Sequence, residues 1–339
     1  MAYWKKIMLI ITSLIVFTIF VATIAFYISP KPGTALIRYA FNREVPIKNS
    51  TQFEKSKEVV NVIHNETYTS KYGRNEFDIY YPHDLKKGEQ VPVIFWLHGG
   101  GYLAGDKSLL NEYAHTLIEQ EKIALISINY EFAPELRYPG QLEQLNEAYH
   151  YIEQHAEKYP YLDMKRLVFG GDSAGAQIAG QYMLVQTNPQ YASEMDMKAS
   201  IPRDDVKAFI SYCGPVDLIQ MTNLKWHDWI MKFFASTVGR DLTGQHRWKE
   251  SEAVQMASIA RHVTSDFPPS YVTDGNAFTF PEQGQALVKA LKEKDVPVQS
   301  RFFDDTDEKI WHEYQFSLNT EAAQRSMAET IAFLKKHID

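Results

Sequence analysis

One cysteine, Cys213, stands in the 339 residues. A single thiol excludes an intrachain disulfide and a Cys-based metal cage, so an apolar core must hold the chain together. Its setting, Phe209-Ile210-Ser211-Tyr212-Cys213, reads as buried filler rather than as a reactive thiol. Basic charge is also scarce. The 35 Lys and Arg against 42 Asp and Glu leave a formal charge of −7. No basic block is interleaved with aromatics, which argues against nucleic acid as a partner. The chain lacks a G-x-x-x-x-G-K-[ST] loop and a dinucleotide fingerprint. Its 11 histidines include no H-E-x-x-H helix or tight His/Cys cluster. Neither a cofactor nor a metal is expected. Internal repeats and low-complexity tracts are absent too.

What is present begins with a long apolar run. Ile7 to Ile28 carries no charged side chain and follows Lys5 and Lys6. A helix needs about 20 such residues to cross a hydrocarbon core. The run is longer than the roughly 7–15 residues of a cleaved signal, and no small-x-small site precedes Pro30. Residues 1–29 therefore read as an uncleaved single-pass anchor in the cell membrane. The two lysines place the N-terminus in the cytoplasm and the remainder outside, although Lys31, Arg38 and Arg43 oppose that bias. Residues 30–67 read as a connector that contributes to a second, smaller layer, and residues 68–339 as the main domain.

Beyond the connector, Tyr68 to Tyr81 reads as the opening strands. Further strand-like segments are Val91 to Leu97, Ala124 to Asn129, Arg166 to Phe169, Val206 to Tyr212, Ser270 to Thr273 and Val298 to Phe303. Between them lie helical stretches, notably Leu109 to Glu121, Leu142 to Lys158, Ala176 to Gln186 and Glu282 to Lys294. This alternation predicts an α/β fold, a mostly parallel sheet flanked by helices, with its ligand crevice beyond the carboxyl ends of the strands. Thr222 to His262 breaks the pattern. Trp226, Trp229, Phe233, Phe234 and Trp248 lie there among charges, and a helical cap inserted near 219–262 would account for them.

Gly171-Asp172-Ser173-Ala174-Gly175 follows a strand and opens a helix. That frame suits a serine nucleophile on a sharp turn, where only small neighbours allow the close backbone approach. A serine hydroxyl needs a base to remove its proton. His312, in Trp311-His312-Glu313-Tyr314, follows the final strand and an acidic loop, where it could return over Ser173. His98-Gly99-Gly100-Gly101-Tyr102 follows an earlier strand. The peptide N–H groups of Gly100, Gly101 and Ala174 are the candidate donors to an oxyanion. His98 itself is expected to order its loop.

These motifs, with Asn129-Tyr130-Glu131-Phe132-Ala133-Pro134-Glu135, Pro268-Pro269 and His312-Glu313, resemble the α/β-hydrolases of the hormone-sensitive-lipase type, the HGGG carboxylesterases. The resemblance runs over roughly Tyr68 to Ile338. It implies an acyl-enzyme mechanism, a capped pocket and esters with short or medium acyl chains. It also exposes a departure. Where the family usually places its triad aspartate, in a Gly-x-x-Asp-Pro-Leu stretch, this chain reads Gly275-Asn276-Ala277-Phe278-Thr279-Phe280. Phe278 cannot orient an imidazole. Asp274, at the end of the same strand, is the first substitute, Asp217 the alternative acid and Glu282 a third. Asp274 and Asp217 each have a structural reading as well, as turn or helix caps.

The expected function is a serine carboxylester hydrolase acting on a small-molecule or lipid ester. An acyltransferase or deacetylase would use the same serine. A catalytically impaired binding protein would keep the fold and lose the chemistry, with Phe278 as its best argument.

Overall fold

The computed structural model describes residues 2–42, 45–222, 228–304 and 308–338. Trp226 and Arg43, singled out above, lie outside them. Eight strands form one sheet: β1 (Val60–Thr67), β2 (Glu76–Pro82), β3 (Val91–Leu97), β4 (Ala124–Ile128), β5 (Leu162–Asp172), β6 (Val206–Tyr212), β7 (Ser270–Thr273) and β8 (Val298–Arg301). Their order is β1-β2-β4-β3-β5-β6-β7-β8. Pairing from β4 through β8 is parallel, and β2 joins β1 and β4 antiparallel. The central strand β3, Val-Pro-Val-Ile-Phe-Trp-Leu, is buried at every position. A continuous apolar run is what a parallel strand covered on both faces requires.

In chain order the α-helices are α1 (Ala2–Ile28), α2 (Lys31–Phe41), α3 (Ser50–Ser56), α4 (Asn111–Gln120), α5 (Gly140–Gln154), α6 (Ala174–Thr187), α7 (Pro189–Glu194), α8 (Leu218–Met221), α9 (Trp229–Thr243), α10 (Glu252–Met256), α11 (Pro281–Glu293) and α12 (Glu321–Ile338). The two faces of the sheet pack separate apolar clusters. One joins Phe95, Phe169, Ile178 and Leu287; the other joins Trp96, Tyr113, Tyr212 and Phe333. Between β6 and β7, helices α8, α9 and α10 gather a third, smaller cluster of Met221, Ala235, Trp248 and Val254 together with Phe280.

Several boundaries differ from the expected ones. The first strand begins at Val60, and residues 68–75 are a loop and bends. The sheet therefore starts inside the expected 30–67 connector. Only Val60 of this edge strand is buried and its second half, His64 to Thr67, is polar, so it carries little apolar signal. Helix α2, also within the connector, packs on α9: a Cβ on Gly33 would stand 3.2 Å from the Phe233 ring.

Candidate active site

The sheet brings the motifs together at the carboxyl ends of its parallel strands. The glycine loop follows β3, Ser173 follows β5, Asp274 follows β7 and His312 comes after β8. Ser173 has φ +49°, an unfavourable conformation for a residue with a Cβ, of the kind found at functional turns. Its N–H donates to Tyr212 O at 2.8 Å, which ties the turn to β6. The sharpness of the turn forces the small residue behind it: a Cβ on Gly175 would stand 2.0 Å from Leu97 O.

His312 Nε2 lies 2.9 Å from Ser173 Oγ. Among the described residues, the other ring nitrogen hydrogen-bonds no carboxylate. His312 Nδ1 stands 2.7 Å from Thr279 Oγ1, and the Thr279 hydroxyl donates to Asp274 Oδ1. The donor directions are consistent along the whole row: Ser173 O–H to Nε2, Nδ1–H to Thr279 Oγ1, and Thr279 O–H to Asp274. Asp274 also accepts N–H bonds from Gly275 at 2.7 Å and Phe280 at 3.1 Å. Burial pushes the Asp274 carboxyl up to about 6, against the lowering effect of these bonds. Desolvation pushes the His312 imidazole down to about 4. The Phe280 ring meets His312 edge-on at 5.4 Å.

The remaining candidate acids stand elsewhere. Asp217 caps α8 by accepting from Ile219 N at 3.2 Å and pairs with Arg261 at 3.4 Å. Glu282 is exposed in the first turn of α11. Phe278, at the position where the resemblance expects the acid, is 58% exposed and stacks on Trp311 at 5.4 Å. Asp274 thus does cap its own turn, as the structural reading had it, while facing His312 through Thr279.

Gly100 and Gly101 have φ of +112° and +62°, a region glycine enters without penalty. Among the described residues, nothing accepts the N–H groups of Gly100, Gly101 or Ala174. Behind them His98 is buried, stacked on Tyr130 at 4.6 Å, with Nδ1 2.6 Å from Gly99 O.

Two neighbours escaped sequence reasoning. Thr279 is one; the other is Glu313, held at φ +58°. A Cβ on Gly99 would meet Glu313 Oε1 and Asp172 Oδ2 together, at 2.4 and 2.5 Å. The two carboxyl groups therefore share one space, Asp172 buried and Glu313 half-buried. Asp172 accepts from Trp96 Nε1 at 2.8 Å and Gly99 N at 2.6 Å, which favours its ionised form. Burial pushes both carboxyls up, Asp172 to about 6, and the Asp172 charge adds to the push on Glu313, so the pair shares a proton. The only sequence signal for Glu313 was its place beside His312.

Donor atoms of Cys213, Asp274 and His312 lie within 4.8 Å of one another. Burial pushes the Cys213 thiol well up, so it is no thiolate, and Nδ1 of His312 is engaged by Thr279. That set is committed to hydrogen bonds.

Over the serine, a cleft of about 600 Å³, counted out to its open mouth, is walled by Met221, Phe234, Val238, Leu242, Trp248 and Phe280, among others. Three hydroxyl-bearing side chains on its wall already have partners. Tyr102 O–H donates to Gln177 at 2.9 Å, Tyr138 Oη accepts from Gln181 at 2.7 Å, and Thr243 O–H donates to Gly239 O at 2.7 Å.

A family model, BD-FAE, matches residues 77–291. The chain belongs to the BD-FAE family. The matched span of this α/β-hydrolase family runs from β2 to α11 and holds Ser173, the glycine loop and Asp274. Solved structures share the fold of this BD-FAE member. An inhibited esterase B from Lactobacillus rhamnosis superposes with a TM-score of 0.70 at 19% identity, covering 93% of this chain and 97% of that one. A bacterial heroin esterase gives 0.67 at 21%, covering 86% and 89%. A thermophilic carboxylesterase cloned from a metagenomic library gives 0.62 at 15%, covering 92% and 98%. The fold is that of the carboxylesterase-like α/β-hydrolases.

Proposed function

We propose that this protein is a serine carboxylester hydrolase in which Asp274 acts on His312 through the hydroxyl of Thr279. The observation that carries the proposal is the 2.9 Å contact between His312 Nε2 and Ser173 Oγ, at a serine held with positive φ. In the reaction His312 takes the Ser173 proton as Oγ attacks the ester carbonyl. The carbonyl oxygen gains charge where the N–H groups of Gly100, Gly101 and Ala174 are free to receive it. Imidazolium Nδ1–H then bonds to a Thr279 oxygen polarised by Asp274. His312 returns the proton to the leaving alcohol, and water, activated by the same base, releases the acid.

The cleft supports an apolar acyl group, because its wall is mainly apolar and the hydroxyls of Tyr102, Tyr138 and Thr243 are already paired. The binding-protein alternative drew on Phe278, and the Thr279 bridge weighs against it. A fluorophosphonate probe tests the reading. Intact-mass analysis should find one phosphonyl adduct on the wild type and none on Ser173→Ala. An unlabelled, folded wild type would refute it.

The anchor belongs to the same proposal. Tyr3–Ile28 is long and apolar enough to cross a membrane, and its most apolar 18-residue stretch has no buried residue. Each large apolar side chain left in water forgoes about 1.5–3 kcal/mol, so a covering medium is required. Arg240 of α9 donates to the carbonyls of Phe26, Tyr27 and Ile28 at 3.1–3.2 Å. These bonds satisfy the end of the helix and support its retention. A single pass, with the catalytic domain outside the cytoplasm, is the reading that the flanking lysines favour.

A further inference from the structure

We infer that the mouth of the active-site cleft is seated on the bilayer surface, so that the enzyme takes its substrate, a lipid ester, from the membrane rather than from water. The inference rests on the hydrolase and anchor readings above and adds the source and class of the ester.

Three observations converge on α9. First, the last turn of α1 is fastened to it. Besides the three Arg240 bonds, the Phe26 and Phe233 rings meet at 5.8 Å, and Tyr27 meets His246, in the turn just after α9, at 5.6 Å. A span that ends at Ile28 against α9 fixes that helix at the level where the chain leaves the hydrocarbon. Second, α9 is apolar on its outer side. Trp229 is 70% exposed and Ile230 47%, within one turn of Phe233. Trp at the start of a helix beside a span suits the interfacial layer, where an amphipathic ring keeps one end wet.

Third, a single row connects that outer side to the serine. Ile230, Phe234, Val238 and Leu242 follow one another at i, i+4 spacing and so share one face of α9. Ile230 is exposed, Phe234 half-buried, and Val238 and Leu242 are buried in the wall of the cleft. Phe234 also lies over the oxyanion loop, 2.7 Å from where a Gly101 Cβ would stand. An acyl chain that leaves the bilayer beside Trp229 can thus follow an unbroken apolar track to Ser173, and its chain is never transferred through water. A polar ester in solution would gain nothing from that track.

The test uses the full chain in phosphatidylcholine vesicles. Co-flotation is measured first, then quenching of tryptophan fluorescence by brominated acyl chains on the Ser173→Ala background, with and without Trp229→Phe. Turnover of p-nitrophenyl palmitate held in the vesicles is compared with that of p-nitrophenyl acetate in water. We expect Trp229→Phe to remove a quenched component. Trp229→Glu should lower palmitate turnover about tenfold, as loss of an interfacial anchor weakens membrane seating, and leave acetate turnover within about twofold. A chain that floats but shows no quenching at Trp229, or equal palmitate turnover in Trp229→Glu, would overturn this inference alone. Failure to float would overturn the anchor reading and this inference with it. Ser173-independent turnover of both esters would instead overturn the hydrolase reading.

Discussion

Replacing Thr279 by valine isolates the least ordinary element of the site. Valine keeps the branched shape and removes only the hydroxyl that joins His312 Nδ1 to Asp274. Asp274 retains its bonds from the N–H groups of Gly275 and Phe280, so the turn should hold. The imidazolium loses the Nδ1 partner found among the described residues. A hydrogen bond to a charged group contributes about 1.5–3 kcal/mol. At about 1.36 kcal/mol per factor of ten, kcat should fall about 10- to 150-fold. That is less than the roughly 10⁴-fold loss that follows removal of a directly bonded triad aspartate in a trypsin-like enzyme. KM should change little, because the hydroxyl does not face the cleft. Thr279→Ser should restore most of the rate. Because Asp274→Asn cuts the same relay, the double variant should lose little more than the worse single one. The assay is p-nitrophenol release by the full chain in detergent, with circular dichroism and Tm as controls. A folded Thr279→Val within about twofold of wild type would refute the relay.

Three further outcomes follow from the same geometry. Catalysis needs unprotonated His312 and Asp274; with burial holding them at about 4 and about 6, kcat/KM should fall as pH drops below about 6. In Asp274→Asn that limb should move toward about 4 on a lower plateau. Glu313 has its folded pKa raised, so its contribution to stability is full below the ordinary carboxyl range and is lost as pH rises through the raised value. Scanning calorimetry from acid to alkaline pH should show Tm declining in wild type and a flatter profile in Glu313→Gln; the same slope in both would contradict the shared proton. Gly175→Ala would drive a Cβ to 2.0 Å from Leu97 O. It should cost at least the ~1–3 kcal/mol of ordinary overpacking, seen as a lower Tm together with lost turnover, and an unchanged Tm would count against the tight turn.

Ser173, the glycine loop and His312 were legible in the sequence because their signals are local. A strand followed by small residues around a serine states its own geometry, and the strand-helix alternation fixed the order of the loops around it. Thr279 was not legible. Its role depends on how far Asp274 stands from His312, and that distance is set where the chain after β7 meets the chain after β8, at the Ala277–Trp311 bridge. The pairing joins residues far apart in the chain, and no spacing within either segment announces it. The aromatic at 278 points to a missing carboxylate; the hydroxyl that meets His312 Nδ1 is on the very next residue. Helix α12 escaped for a different reason: its buried face includes Ser326 and Thr330 beside Met327 and Leu334, which dilutes the apolar period. Helix α2 was hidden in a stretch whose Pro32 and Gly33 resemble a linker. Both residues fit the structure locally, the proline in the first turn and the glycine against α9.

The most direct measurement is the pre-steady-state release of p-nitrophenol from a p-nitrophenyl ester by the full chain, wild type beside Ser173→Ala. The acyl-enzyme account predicts a burst of about one equivalent per chain when deacylation is the slower step, absent in the variant. Equal turnover in Ser173→Ala, or a folded wild type that releases nothing across short and long acyl chains, would contradict it.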